Sequence, residues 1–162
     1  MISTGETLPD ATLTQMGAEG PEQVQMADKV KGRKVAIFAV PGAFTATCLS
    51  AHVPSFIRTK DQFMAKGVDE IICISANDPF VMHAWGEATG ANTAGISMLA
   101  DAESAFTDAI GMRFDAPPAG LIGRSLRYAM VVEDGVVTLL NKEENPGQCE
   151  LSAGEGLLDS MG

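Results

Sequence analysis

Several features that define other protein classes are scarce in this sequence or missing from it. Its 162 residues include three cysteines and two histidines, and no Cys-x-x-Cys pair occurs. An odd, small number of cysteines is a poor disulfide framework for a secreted protein, and so few ligands disfavour a zinc site. No apolar run reaches the roughly 18 residues that a membrane-spanning helix needs. We therefore expect no metal, no organic cofactor and no membrane contact.

Positive charge is scarce as well. The chain has 11 Lys and Arg against 21 Asp and Glu, a formal net charge of −10. Such a surface repels phosphate backbones, so a nucleic-acid partner is not expected. The N-terminus shows neither the basic and apolar parts of a signal peptide nor an Arg-rich transit peptide, which predicts a cytoplasmic protein. A presequence that had been removed would leave no trace here.

What remains has the composition of a folded domain. Hydrophobic residues make up 46% of the chain and charged residues 20%, and a chain of this length suits one domain, predicted over residues 1–162. Three short apolar runs are typical of strands buried on both faces. They are Lys34–Val40, Glu70–Ser75 and Ile96–Ala100.

Helical patterns follow these strands, which predicts a parallel sheet with helices on both faces. The expected helices run to about Lys66 (interrupted by Pro54), over Asp78–Gly90, over Ser104–Ile110 and over about Gly154–Ser160. Asp134-Gly135 predicts a tight hairpin between strands 127–133 and 136–141. Residues 1–32 are expected to form loops and a hairpin, and residues 111–124 a long surface loop. The predicted class is α/β, a thioredoxin-like fold with a mixed central sheet and an N-terminal extension.

Cys48 has the surroundings of a reactive thiol. The first buried strand leads into a loop and then into a predicted helix that carries Cys48 near its start, with Thr47 and Ser50 as candidate N-caps. Unpaired N–H groups at a helix start favour an anion and lower the pKa of a cysteine, and the thiolate is the nucleophilic form. Buried cysteines are also common as small core residues, and local physics alone leaves these two interpretations balanced.

Two neighbours favour the reactive interpretation. Thr45, three residues before Cys48, would lie beside the sulfur on a helical turn, where its hydroxyl can both accept and donate a hydrogen bond. Pro41 has no N–H and could keep water out of the pocket.

The pattern Pro41-x-x-x-Thr45-x-x-Cys48 resembles the active-site motif of peroxiredoxins. The longer run VPGAFTATCLSAHVPSF is similar to the type II (Prx5-like) subfamily in particular. The resemblance extends through GVDEIICISANDPFVMHAW, LRYAMVVEDGVV and LSAGEGLLDSM, and so covers nearly the whole chain from about Gly5. Ala46 stands where many relatives have proline, a departure that we expect to affect loop stiffness more than chemistry.

The resemblance implies a thiol-dependent peroxidase active in antioxidant defence. Hydrogen peroxide and alkyl hydroperoxides would oxidise Cys48 to a sulfenic acid, and an arginine beside the thiolate would stabilise the developing charge. Arg127 matches that arginine, and without the resemblance it would be interpreted as a solvated charge at a strand edge. Arg124 is the weaker candidate cation. A homodimer is implied as well. The alternative function is a peroxide sensor or a redox-regulated binding protein with slow turnover.

The thiol that reduces the Cys48 sulfenic acid could come from either of the two other cysteines or from an outside molecule. Members of the family carry a resolving cysteine at the position of Cys73 or near that of Cys149, and this chain has both. Cys73 lies in a predicted buried strand, which favours a packed core thiol. Cys149 follows a turn but matches a packing position in other relatives. We favour an external thiol (glutathione with glutaredoxin, or thioredoxin) over an internal Cys48–Cys149 bridge.

Two further sites are not predicted to take part in the reaction. His52 follows Cys48 by one helical turn, an arrangement that could pair a nucleophile with a base. We instead predict a structural hydrogen-bonding role. Glu143 and Glu144 are expected to be solvated loop charges.

Overall fold

The computed structural model describes residues 1–46, 51–145 and 147–162. Cys48 and the candidate caps Thr47 and Ser50 lie outside the described residues. The strands are β1 Thr12–Gly17, β2 Gly20–Gln25, β3 Lys34–Ala39, β4 Glu70–Ser75, β5 Ser97–Ala100, β6 Arg113–Ala116, β7 Leu121–Ser125, β8 Tyr128–Glu133 and β9 Val136–Lys142. The helices are α1 Met26–Val30, α2 Val53–Ala65, α3 Pro79–Thr89, α4 Ala91–Ala94, α5 Ala105–Ala109 and α6 Gly154–Met161, with a 3-10 turn at Pro117–Ala119.

A seven-stranded mixed sheet forms the centre, in the order β2-β1-β5-β4-β3-β8-β9. Strands β3, β4 and β5 are parallel neighbours, whereas β8 and β9 add antiparallel strands beyond β3. The predicted N-terminal hairpin is confirmed as β1–β2, and it extends the sheet beside β5. Of the helices in the described ranges, none is long and apolar enough to span a membrane.

The core has two layers, one on each face of this sheet. Along β3, Ala36 and Phe38 belong to one layer, and Val35, Ile37 and Ala39 to the other. Successive side chains of a strand point to opposite faces, so a strand buried on both faces must be apolar throughout. This explains the continuous apolar runs and confirms the three predicted strands.

Helix α2 packs on the first of these layers. Phe56 stacks on Phe38 with ring centroids 4.1 Å apart, and Phe63 stacks in turn on Phe56 at 5.5 Å. The helix ends in a Schellman motif in which the Val68 N–H donates to the Phe63 carbonyl, and Gly67 takes the required left-handed conformation at φ 86°. Pro54, expected to interrupt the helix, instead lies in its first turn, where a missing N–H costs no intrahelical bond.

The segment after α5 differs from the prediction. Residues 111–124 were expected to form a surface loop, but β6 and β7 pair there as a two-stranded antiparallel sheet. Pro117-Pro118 make only the connecting 3-10 turn, which Gly120 closes at φ 75°. The prolines therefore mark a short turn, and the residues on either side of them are extended.

The predicted β8–β9 hairpin is confirmed. Asp134 and Gly135 have φ values of 48° and 80°, the conformation that a two-residue hairpin turn requires. The N-terminal segment runs along the outer edge of β9, where the Gly5 N–H donates to the Val137 carbonyl and the Val137 N–H donates to the Glu6 carbonyl. Residues before β1 thus cover a strand that would otherwise be an open edge.

Candidate active site

A pocket of about 460 Å³ opens at the carboxyl end of β3. Its lining residues are Pro41, Thr45, Ala46, Phe114, Ala116, Leu121, Arg127, Asn145 and Gly147. Register explains how such distant residues meet, because β3 and β8 are antiparallel and Ala39 pairs with Tyr128. The residues just after β3 and just before β8 therefore lie at the same end of the sheet.

The loop after β3 is held by side chains from neighbouring elements. The Ala43 N–H donates to Asn77 Oδ1 at 3.0 Å, and Ser75 Oγ donates to the same oxygen at 2.6 Å. Thr45 Oγ1 donates to the Gly42 carbonyl at 2.8 Å. Phe44 is left-handed at φ 65°, a conformation that costs a bulky residue energy and persists only where its surroundings impose it. The loop is therefore shaped before any substrate arrives.

Arg124 clamps the start of this loop. Its Nη1 donates to the Pro41 carbonyl at 3.2 Å. A Cβ atom added at Gly42 would lie 2.6 Å from the same nitrogen, so a larger residue there would displace the end of the Arg124 side chain. Arg124, the weaker candidate cation, thus contacts the loop backbone, whereas Arg127 lines the pocket.

Arg127 is buried, with 2% of its surface exposed, and it lies immediately before β8 and not in the strand as predicted. Its Nη1 lies 2.9 Å from Nδ1 of His52, and Nε2 of His52 lies 2.9 Å from the Ser152 carbonyl oxygen. A guanidinium can only donate and a carbonyl can only accept. His52 must therefore carry its proton on Nε2 and accept from Arg127 on Nδ1.

Electrostatics keep this histidine neutral. Complete burial, together with the positive charge of Arg127, lowers the pKa of His52 to about 3. A neutral imidazole holds the guanidinium by a hydrogen bond without cancelling its charge. This geometry supports the structural role predicted for His52 and gives it a purpose, the orientation of Arg127.

Glu143 departs from expectation, because its side chain is buried while that of Glu144 is exposed. Its Oε2 accepts from the Glu150 N–H at 2.9 Å, the Ser152 N–H at 2.7 Å and Ser152 Oγ at 2.5 Å. Burial alone would raise the pKa of Glu143, but these hydrogen bonds outweigh it and lower the pKa. Nothing in the Glu-Glu pair distinguishes the two residues by sequence.

The two other cysteines have different surroundings. Cys73 lies fully buried in β4, between Phe38 of β3 and Met98 of β5, which supports its interpretation as a packed core thiol. Cys149 is half-buried in the segment that leads to α6. Cys48, the predicted nucleophile, lies outside the described residues, two positions after the pocket residue Ala46.

The apolar wall of the pocket was not predicted. Phe114, Ala116 and Leu121 come from the β6–β7 hairpin, in the segment expected to be a loop. The signal for it was weak, because each strand is short and interleaves one or two apolar residues with polar ones. Only the fold reveals that this hairpin lines the pocket together with Pro41, Thr45 and Arg127.

Comparison with known proteins agrees with this fold. The redoxin family model matches residues 3–158. The chain is 44% identical to the chloroplastic peroxiredoxin-2E-2 of Oryza sativa subsp. japonica, over 99% of this chain and 72% of the relative. It superposes on the reduced Prx3 of Vibrio vulnificus in complex with hydrogen peroxide with a TM-score of 0.92 and 48% identity, covering 100% of both chains.

A third match concerns the subfamily. Peroxiredoxin 5 from Alvinella pompejana superposes with a TM-score of 0.86 and 32% identity, over 99% of this chain and 98% of that one. The predicted thioredoxin-like fold is therefore confirmed. The chain belongs to the redoxin family and is a peroxiredoxin of the type II (Prx5-like) kind, a thiol-dependent peroxidase.

Proposed function

We propose that Cys48 is the peroxidatic cysteine of this enzyme. Its thiolate attacks the terminal oxygen of the peroxide, so that an S–O bond forms as the O–O bond breaks. Cys48 becomes a sulfenic acid, and the departing oxygen takes up a proton to leave as water or an alcohol. The observation that carries this proposal is the meeting of Pro41, Thr45 and Arg127 in one pocket.

Arg127 is proposed to supply the positive charge for this step. A guanidinium stays charged at any physiological pH and stabilises both the thiolate and the negative charge that develops on the peroxide. Its burial strengthens that effect, because the charge acts where water is largely excluded. The neutral His52 beside it directs the guanidinium without competing for the charge.

Thr45 and Pro41 are proposed to shape the reacting end of the pocket. With its hydroxyl proton directed to the Gly42 carbonyl, Thr45 Oγ1 offers acceptor capacity on its pocket side. Pro41 presents an apolar ring with no N–H. Phe114 and Leu121 add an apolar wall, which suits the alkyl part of an alkyl hydroperoxide.

An outside thiol is proposed to complete the cycle. It would condense with the sulfenic acid to a mixed disulfide and water, and a second thiol would then release Cys48. Glutathione with glutaredoxin, or thioredoxin, has the required chemistry. The burial of Cys73 supports an external route over one through β4. We further propose that residues 1–162 act as one redoxin domain, that the enzyme is cytoplasmic and that it forms a homodimer.

Replacement of each cysteine tests the proposal. Cys48→Ser should abolish peroxide consumption in a stopped-flow assay, while Cys73→Ser, the matched control, should keep the first oxidation step. Intact mass after one equivalent of peroxide should show one added oxygen in the parent and in Cys149→Ser, and none in Cys48→Ser. Consumption by Cys48→Ser at the parent rate would show that the nucleophile has been assigned wrongly.

A further inference from the structure

We propose that Glu143 is a positioning residue for Arg127 and acts on it through Ser152 and His52. The proposal rests on the proposed function of Arg127 and adds to it a residue that acts on the guanidinium only through other groups. Glu143 was expected to be an exposed charge, and its burial is the first sign of another role.

Glu143 holds Ser152 through two hydrogen bonds. One carboxylate oxygen accepts from both the backbone N–H and the side-chain hydroxyl of Ser152, at 2.7 and 2.5 Å. Hydrogen bonds to a charged acceptor are shorter and stronger than those between neutral groups. The Ser152 carbonyl shares its peptide plane with the Ala153 N–H, which donates to the Glu150 carbonyl at 3.3 Å. The Glu150 N–H in turn donates to Glu143 Oε2 at 2.9 Å. Glu143 therefore holds the short segment that directs the Ser152 C=O at His52.

The path continues from that carbonyl to the guanidinium. The Ser152 oxygen accepts from Nε2 of His52, which fixes the tautomer and the plane of the ring. The opposite ring atom, Nδ1, then accepts from Nη1 of Arg127. Because one ring nitrogen of His52 must donate, the other must accept, so each contact fixes the donor and acceptor of the next. Hydrogen bonds in such a chain also polarise one another.

A backbone contact closes the path. The backbone N–H of Glu143 donates to the carbonyl of Arg127 at 3.0 Å. Arg127 is thus tied to Glu143 at both ends, through its own main chain and through its guanidinium by way of His52 and Ser152. A cyclic arrangement of this kind fixes the guanidinium relative to the backbone that carries it, which a single contact would not.

A purely structural role for Glu143 makes a different prediction, and the ionisation of Cys48 separates the two. If Glu143 only anchors the segment before α6, its loss lowers stability and leaves the thiol unchanged. If it positions Arg127, its loss also weakens the stabilisation of the thiolate, so that the thiol ionises at a higher pH.

The experiment measures alkylation of Cys48 by iodoacetamide against pH, together with the second-order rate of hydrogen peroxide reduction, all in a Cys149→Ser background. Glu143→Gln keeps the shape and one acceptor oxygen but removes the charge. We expect its alkylation midpoint to move upward by about half a pH unit or more, and its peroxide rate to fall about tenfold. Glu144→Gln removes the same charge one residue along, on the exposed side, and should match the parent in both measurements.

A second variant covers the case in which Glu143→Gln does not fold. Ser152→Ala removes the shortest contact to the carboxylate and retains the backbone N–H, and it should shift the midpoint in the same direction by less. In His52→Ala, where the path is already broken, adding Glu143→Gln should produce no further shift, because two changes on one path are not additive.

Two results would overturn the inference. One is a parent-like midpoint and rate in folded Glu143→Gln, or in Ser152→Ala if Glu143→Gln does not fold, while Arg127→Met shifts both. The other is a full additional shift when Glu143→Gln is added to His52→Ala. In either case the proposed function stands. If Arg127→Met itself leaves both measurements unchanged, the role proposed for Arg127 fails, and the inference about Glu143 fails with it.

Discussion

A half-buried carboxylate, Glu70, and a buried one, Glu143, stabilise opposite ends of the sheet by different means. Glu70, at the start of β4, accepts from Lys29 Nζ at 3.0 Å, Arg33 Nη1 at 2.8 Å and Ser97 Oγ at 2.5 Å. Glu143, just after β9, accepts from backbone N–H groups and a serine hydroxyl. At the first end, two cationic side chains therefore form ion pairs with the carboxylate. At the second end the buried guanidinium contacts a neutral imidazole and lines the pocket.

The difference distinguishes a network that stabilises the fold from one that orients a charged group at the candidate site. Burial alone would raise the pKa of Glu70, but hydrogen bonds from Ser97, Lys29 and Arg33 outweigh it and lower the pKa, so this carboxylate and its partners form a stable cross-link. An arginine paired in the same way with a carboxylate would be a weaker electrostatic catalyst, because its field would be partly cancelled. The neutral His52 satisfies a donor of Arg127 and itself adds no opposing charge.

The largest effect expected from this comparison concerns the two arginines. Arg127→Met should slow peroxide reduction by about a hundredfold to a thousandfold, the usual loss when a charge-stabilising donor is removed from an active site. Arg33→Met removes an arginine from the Glu70 network and should leave the rate near that of the parent. Stopped-flow rates, with circular dichroism to confirm folding, provide the measurement. Equal losses of peroxide-reduction rate in both variants would contradict the proposed difference between the two ends of the sheet.

The second effect concerns stability at the Glu70 end. Glu70→Ala should lower the free energy of unfolding by about 2 kcal/mol, less than for a fully buried pair because Lys29 and Arg33 remain 21% and 35% exposed. The peroxide rate should stay unchanged. Glu133→Ala is the matched control, since its contact to Lys34 is long and half-exposed, and it should cost no more than about 0.5 kcal/mol. Urea denaturation provides both values, and an equal cost for the two variants would contradict the prediction.

The smallest effect is a dependence of stability on pH at the Arg127 end. The pKa of His52 is about 3 in the folded chain against an ordinary value of 6.5, so the unfolded chain binds the extra proton between these values. Stability therefore falls as pH falls below 6.5, by about 1 kcal/mol per pH unit for one such group. His52→Gln should remove this slope between pH 6.5 and 5, where carboxylates contribute little.

Urea denaturation of the parent and of His52→Gln across that range measures the slope. His83→Gln, on the exposed face of α3, controls for removing an imidazole elsewhere in the chain. An unchanged slope in His52→Gln would mean that the acid sensitivity of this fold arises at other groups.

The sequence predicted those parts of the fold that depend on neighbouring residues. Strands β3 and β4 were recognised because burial on both faces demands uninterrupted apolar runs, and Asp134-Gly135 because few residue pairs adopt two positive φ values. Pro117-Pro118 misled the prediction, since two prolines mark a turn equally well in a loop and between short strands. The pairing of β6 with β7 joins short segments with few apolar residues, and such pairing leaves little periodic signal in local sequence.

In the candidate site, too, local sequence predicted only the residues that are close together in the chain. Pro41 and Thr45 are close in sequence, and simple chemistry suggested their roles, whereas Arg127 was found through family resemblance. Its place depends on the pairing of Ala39 with Tyr128, a contact between residues far apart in the chain. Glu143 could not be told from Glu144, because only the fold decides which of two adjacent acids turns inward. The role of Cys48 stays a prediction for the cysteine replacements to test.

The edges of the sheet bear on how copies of this chain meet in solution. An open edge strand offers unpaired backbone groups to any extended segment and so invites aggregation. At β2 the outermost strand begins Gly20-Pro21, and proline has no N–H to offer, while Glu22 adds an exposed charge. At β9 the N-terminal segment occupies part of the edge. Strand-to-strand polymerisation is thereby discouraged at both edges of the main sheet.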